Sequence, residues 1–285
     1  MVSCAKAGML WATHFVNGSA STSYVTQFNS PFIGCTSAEM YRDNGLNSLI
    51  VYDDLGNHGI AYREMSLTIK CAPGREAYPG DIFYVHARLL ERAAQMSFHY
   101  GAGSMTALPI VELQNGDLSK LIPTNLISIT DGQWLLRSDY AKQGLYPAVD
   151  LDKSVSRIGS KAQSSLMKWL TPDFKHSLLE YVRLFNLKSA GVPLSDFQKV
   201  QFDKSTAALA VWRQSKPRFY EDNIVLILLS NLKKLCPIYS SLDIKLKLEK
   251  MYQDFPYILL MTLYLKHSKN TKNFQKVLTK VCAEL

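Results

Sequence analysis

Residues 49–54, Leu-Ile-Val-Tyr-Asp-Asp, constrain the fold of this chain more than any other stretch. Four consecutive apolar or aromatic residues, two of them β-branched, predict a parallel strand buried on both faces. Asp53 and Asp54 then fall at its C-terminal end. Open α/β sheets bind ligands at that edge, and a carboxylate there commonly holds Mg²⁺ on nucleotide phosphates. The same residues also suit a buried strand that simply runs into an Asp-Asp-Leu-Gly turn. A phosphate loop of the form G-x-x-x-x-G-K-[ST] normally accompanies such a strand, and these 285 residues contain none.

Around that strand the pattern alternates. Residues 9–16 read as another buried strand and 18–23 as a small polar loop. Residues 35–41 suggest a short helix stopping near Asn44-Gly45, and Tyr62, Met65 and Ile69 give a second helix over 61–70. A loop dense in turn formers follows at 74–81, where Asp81 is placed to cap a helix running through Met96 on Tyr84, Ala87, Leu90 and Ala94, with Gly101 and Gly103 closing it. Strands are expected at 105–112, 126–130 and 134–137, the last after an Asp131-Gly132 turn. This order is that of a doubly wound α/β layer. After Asp150 comes a polar loop at 154–160. Helical patterns then occupy 178–187, 197–212, 224–235, 242–255 and 258–267, punctuated by Pro172, Pro193, Pro217, Pro237 and Pro256. The fold class expected is α/β followed by all-α, with domains at 1–160 and 161–285.

The apolar fraction of 47% and charged fraction of 20% are those of an ordinary soluble domain. The net charge of +8 is uneven: ten Lys and four acidic residues after position 230 leave only +2 for the rest. Such a basic end suits nucleic acid, anionic lipid or a solvated helical face, and the last is the expectation; nucleic acid is not expected as a partner. Five cysteines without a C-x-x-C pair read as free thiols in a reducing compartment rather than a disulfide framework or zinc site. The longest apolar run, residues 255–265, is too short for a membrane span, and the first residues have neither signal-peptide nor transit-peptide character.

Longer motifs add a resemblance. Arg-Asp-Asn-Gly at 42–45, Ala-Tyr-Arg-Glu-Met-Ser-Leu at 61–67, Pro-Gly-Arg-Glu-Ala-Tyr-Pro-Gly-Asp at 73–81 and Arg-Leu-Leu-Glu-Arg-Ala-Ala at 88–94 accompany the Leu49 strand. Together they closely resemble the alpha subunit of the rotary proton-translocating ATP synthase, and the likeness continues through 104–112, 122–133 and 154–163. The loop at 73–81 separates it from the beta subunit. Such a subunit begins with a β-barrel and the phosphate loop, both upstream of the part this chain resembles. The resemblance therefore implies a C-terminal portion, split or truncated: the second half of a P-loop-type nucleotide-binding α/β domain, then a helical bundle.

What the resemblance implies for function follows the same positions. The partners would be the beta and gamma subunits, plus a separate chain carrying the β-barrel and phosphate loop. The complex would sit at the periphery of a membrane, expected to be the mitochondrial inner membrane on its matrix side, with a plastid or bacterial membrane as alternatives. Arg157, in Ser-Val-Ser-Arg-Ile-Gly-Ser, matches the arginine that reaches into the beta-subunit catalytic site. Ser128 matches a serine near that interface. Asp53 matches a carboxylate helping to hold Mg²⁺ with ATP or ADP at a non-catalytic site. Tyr146 replaces the family's arginine before Pro-Ala, Ala141 replaces an aromatic residue on adenine, Gln214 is a kept glutamine and Lys216 replaces a second. Weakened nucleotide binding there, and no activity for the chain alone, are the expectations. A degenerate alpha-like fragment acting as an assembly or interaction protein is the alternative reading.

Overall fold

The computed structural model describes residues 8–19 and 21–213. The chain divides into two compact units, Met1–Asp131 and Gly132–Leu285. Each is taken by itself.

In the first unit, helix α1 (Tyr24–Asp43) starts at Ser23, whose side chain accepts from Thr26 N. It is far longer than the helix expected at 35–41, and it holds Pro31, ordinarily a helix breaker, in its interior. The carbonyl of Gln27, which loses its usual i+4 donor to that proline, instead accepts from Ser30 Oγ at 3.0 Å. Strand β1 (Asn47–Tyr52) pairs in parallel with β2 (Ser104–Pro109), in register Leu49↔Thr106 and Val51↔Leu108. Ser48 donates to Ala38 O of α1, and Ile50 lies beside Gly34, so α1 covers one face of this pair. The opposite face is open: Leu49 is 64% and Val51 52% exposed. The expectation of a strand covered on both faces is thus corrected to one covered on the α1 side.

Helix α2 (Leu55–Thr68) follows β1, and helix α3 (Ile82–Leu90) turns Ile82, Leu89 and Leu90 into the core with Cys35, Tyr52, Leu55 and Met105. Burying a side chain such as Leu89 contributes about 1.5–3 kcal/mol. Charge fastens α3 to α1: Arg92 Nε donates to Glu39 Oε1 at 2.8 Å, and Arg42 Nη1 donates to Arg92 O at 2.6 Å. Two expectations are refined here. Asp81 is the N-cap residue of α3 as expected, but its carboxylate makes no capping bond and accepts instead from Tyr62 Oη at 2.6 Å. Nor does α3 run through Met96, because the chain beyond it bonds to the approach of β2 through Met96 N to Gly103 O and Met105 N to Ala94 O.

Two expected strands have another form. Residues 126–129 belong to helix α4 (Leu121–Ile129), and Thr130 is its C-cap. The β-branched Ile127, Ile129 and Thr130 imitate a strand, but Ile122 and Leu126 are one helical turn apart and both buried, and Pro123 is tolerated in the first turn. Residues 9–16 form a short 3₁₀ turn, Leu10–Ala12, then irregular chain, with Trp11 exposed. Among the described cysteines, Cys35 is buried and Cys71 exposed, and both are free thiols as expected.

The second unit opens with a two-residue antiparallel ladder, β3 (Gly132–Gln133) with β4 (Val155–Ser156), and short helices α5 (Ser138–Lys142) and α6 (Gly159–Ala162). The strand expected at 134–137 shrinks to β3 and a single bridge, Leu136 to Val149. Helix α7 (Ser165–Ser189) extends the helix expected at 178–187 and packs against α8 (Asp196–Trp212), with Tyr181 stacked on both Phe185 and Phe202. A capping box between Ser195 and Gln198 starts α8. The helices expected at 224–235, 242–255 and 258–267 lie outside the described residues. No helix among the described residues is long and apolar enough to cross a membrane.

Candidate functional site

The two carboxylates at the end of β1 have divided their work. Asp54 is the N-cap of α2: Oδ1 accepts from Asn57 N at 3.0 Å and Oδ2 from Asn57 Nδ2 at 3.3 Å. Those bonds satisfy amides that a helix start leaves open. Asp53 is exposed, and its carboxylate has no hydrogen bond or ion pair among the described residues. The turn reading of the sequence therefore belongs to Asp54, and the ligand reading remains open to Asp53. Among the described residues no group of three or more His, Cys, Asp or Glu could hold a metal ion by itself. One carboxylate fits Mg²⁺ that arrives already bound to phosphates and keeps several waters.

Arg157 follows β4 directly and is exposed on a segment held from both sides. Upstream, Gln133 Nε2 donates to Lys153 O at 3.3 Å, and Leu135 N donates to Ser154 Oγ at 3.0 Å. Downstream, Gly159 N donates to Ser156 Oγ at 3.0 Å. The ladder itself requires glycine at 132, since a Cβ there would stand 2.4 Å from Val155 O. The Ser-Val-Ser-Arg run is thus a set of short backbone anchors on either side of the exposed Arg157, with Ile158 beside it 47% exposed.

Ser128 sits in the last turn of α4 rather than at a strand end, and its hydroxyl donates to Thr124 O at 2.9 Å. The N-terminus of α4 is held by Glu76 of the 73–81 loop, whose carboxylate accepts from Leu121 N at 3.1 Å. Glu76 and Ala77 both take left-handed backbone angles (φ 53° and 61°), a local strain that this loop sustains. Tyr146 is 52% exposed and Ala141 is half-buried. Gln214 and Lys216 lie outside the described residues. Ser128 and Asp53 belong to the first unit, and Tyr146, Ala141 and Arg157 to the second.

Sequence reasoning missed Asp150. It is 4% exposed, with Arg137 Nη1 at 3.7 Å, and its Oδ1 accepts from Asp152 N at 3.0 Å and Lys153 N at 3.2 Å. An Asp followed two and three residues later by polar Asp and Lys is an Asx-turn signal that could have found it.

Deeper in the first unit His58 and His86 are buried together on α2 and α3. Burial pushes both imidazoles down to about 4. The hydrogen bond of His58 to Phe28 O partly opposes that shift, and the neighbouring His58 adds to it for His86. Tyr62 is pushed up to about 12, chiefly by burial and then by its bond to Asp81.

A parallel strand pair with an open carboxylate at its C-terminal edge is the place where open α/β sheets bind ligands, here followed by a helical continuation. The chain belongs to the ATP synthase alpha/beta family: residues 2–156 match its nucleotide-binding domain. It is 47% identical over 230 residues to the ATP synthase subunit alpha of Wolbachia sp. subsp. Drosophila simulans (strain wRi), covering 80% of this chain and 45% of that protein. The subunit alpha of Mycoplasma mycoides subsp. mycoides SC is 44% identical over 244 residues, covering 84% and 46%. That of Neorickettsia sennetsu is 45% identical over 226 residues, covering 79% and 44%. The alpha-type resemblance and the α/β-then-helical fold class read from the sequence are borne out. The chain spans about half the length of the curated relatives it matches. The mitochondrial placement is corrected, since these relatives are bacterial subunits.

Proposed function

We propose that this chain serves as the C-terminal portion of an alpha-type subunit in the head of a proton-translocating ATP synthase. It assembles with beta-type and gamma-type subunits at the periphery of a membrane and lends Arg157 to a neighbouring beta-type catalytic site. The observation that carries this reading is the presentation of Arg157: exposed, and anchored on both sides by Ser154, Ser156 and the β3–β4 ladder. A planar, permanently charged guanidinium suits the charge that gathers on a transferring phosphoryl group. Arginine fingers of this kind contribute ~10³–10⁵ in rate. Ser128, at the exposed end of α4, is the second group assigned to that interface.

The chain's own nucleotide site is non-catalytic. Mg²⁺, when bound with ATP or ADP, supplies charge neutralisation at the phosphates, and Asp53 holds it through water. The adenine-side residues that the resemblance implies are Tyr146 and Gln214, and the replacement of the family's arginine at Tyr146 and of its aromatic residue at Ala141 is proposed to weaken nucleotide binding. The open Leu49 and Val51 face of β1 supports a further element of the proposal. Parallel sheets are buried on both faces, and the front half of the domain, with its phosphate loop and β-barrel, covers that face from outside these 285 residues. Native mass measurement distinguishes a separate polypeptide from a continuous one. Arg157→Ala tests the proposal: assembly persists and multisite ATP turnover falls at least ~10³-fold, whereas normal turnover in the assembled mutant would refute it.

A further inference from the structure

Building on the arginine-finger reading, we infer that Asp150 is the positioning residue of the Arg157 segment. It touches neither nucleotide nor the reacting phosphate; it acts through the chain that leads to Arg157.

The geometry is specific. Asp150 is buried, and its Oδ1 takes two successive amides, Asp152 N at 3.0 Å and Lys153 N at 3.2 Å. Its own backbone closes the loop at both ends: Asp150 N donates to Leu135 O at 2.8 Å, and Ser154 N donates to Asp150 O at 3.0 Å. The turn so formed delivers Ser154 to Leu135 N and Lys153 O to Gln133 Nε2, and the chain then enters β4. Arg157 is the first residue beyond that strand. Every bond from Asp150 to Ser156 therefore fixes where the guanidinium emerges. Arg137 offsets the buried charge at 3.7 Å through Oδ2, leaving Oδ1 to the amides. A buried carboxylate without such partners would be strongly unfavourable, so its retention here goes with the turn it holds.

A misplacement of about 1 Å in a catalytic group costs on the order of 10²-fold in rate. In complexes assembled with variant chains, D150A should lower kcat for ATP hydrolysis by ~10–100-fold with KM changed less than about twofold. D150N keeps the Oδ1 acceptor and should restore kcat to within about threefold of the unmodified complex. The double variant D150A/R157A should be no slower than R157A, because the two residues act as one unit. D150S is made beside D150A in case the latter does not assemble; its hydroxyl keeps one amide bond, and a loss of about three- to tenfold is expected. Near-normal kcat in D150A or D150S with a slow R157A complex overturns the positioning role and leaves the finger standing. Additive losses in the double variant also overturn it. Normal turnover in R157A defeats the finger reading itself, whatever Asp150 does.

Discussion

His58 Nδ1 lies 3.3 Å from His86 Nε2, and His58 Nε2 lies 3.2 Å from Phe28 O. A carbonyl only accepts, so His58 Nε2 carries the proton and its Nδ1 accepts from His86. That leaves His86 Nδ1 enclosed without a hydrogen-bond partner among the described residues. Both rings are neutral in the fold, with values lowered from 6.5 to about 4. The unfolded chain binds more protons between those limits, so stability rises with pH there. The neutral pair's contribution is complete above pH 6.5 and is lost as pH falls toward 4. A loss of about 2–4 kcal/mol across that window is expected, read as a falling urea midpoint. H86F should flatten the slope; an unchanged slope in that variant would remove the pair from the account. Glu39, held low mainly by its bond from Arg92, keeps its full contribution above its ordinary 4.5 and loses it only below that value, so it does not cloud the upper part of the window.

Asp53 and Asp54 should separate cleanly by mutation. D54A removes the cap of α2 and should cost about 1 kcal/mol in urea unfolding. D53A should change stability by less than about 0.5 kcal/mol, yet reduce the Mg-nucleotide retained at the non-catalytic site of the assembled head. Equal stability losses for both would contradict the division of roles.

Gly103 approaches α1 so closely that a Cβ would lie 2.0 Å from Arg42 O, a backbone atom that cannot swing aside. G103A should destabilise the first unit by about 2 kcal/mol or more. Gly80 has open space around it and no left-handed backbone, so G80A should stay within about 0.5 kcal/mol of the unmodified protein. Thermal melts of the two variants decide the point.

On the resemblance, Tyr146 replaces an arginine of the family, and nucleotide binding is proposed to be weakened there. Restoring the arginine with Y146R should raise the nucleotide that co-purifies with the complex by about tenfold or less, since one charge-assisted contact contributes on the order of 1 kcal/mol. Unchanged nucleotide content would show that the replacement does not weaken the site.

Much of this was legible before any coordinates. The run at 49–54 announced β1 and placed Asp53 at its end, because β-branching and turn chemistry agree there. The Pro-Gly and glycine punctuation located α3 and β2 to within a few residues or a turn. What failed was local evidence that tertiary contacts outvoted. The pattern at 35–41 reads as a short helix, yet α1 is far longer and carries Pro31 in its interior, where Ser30 supplies the missing donor to Gln27. Ile127, Ile129 and Thr130 looked like a strand, but Leu126 and Ile122 bury one helical face. Burial of β1 was overestimated because the helix on one face is within this chain and no described element covers the other. Asp150 was passed over as a site residue because its partners are mainly backbone amides, and only the Asx-turn spacing to Asp152 and Lys153 hints at it.

The most direct measurement is affinity isolation of the tagged chain from its native membranes in mild detergent, with every co-isolated polypeptide identified by mass spectrometry. Beta-type and gamma-type subunits, together with a phosphate loop and β-barrel on the same or another polypeptide and no second complete alpha subunit, are the expected result. Recovery of the chain alone, or beside a complete alpha subunit in the same head, would contradict the proposed place of Arg157 in catalysis.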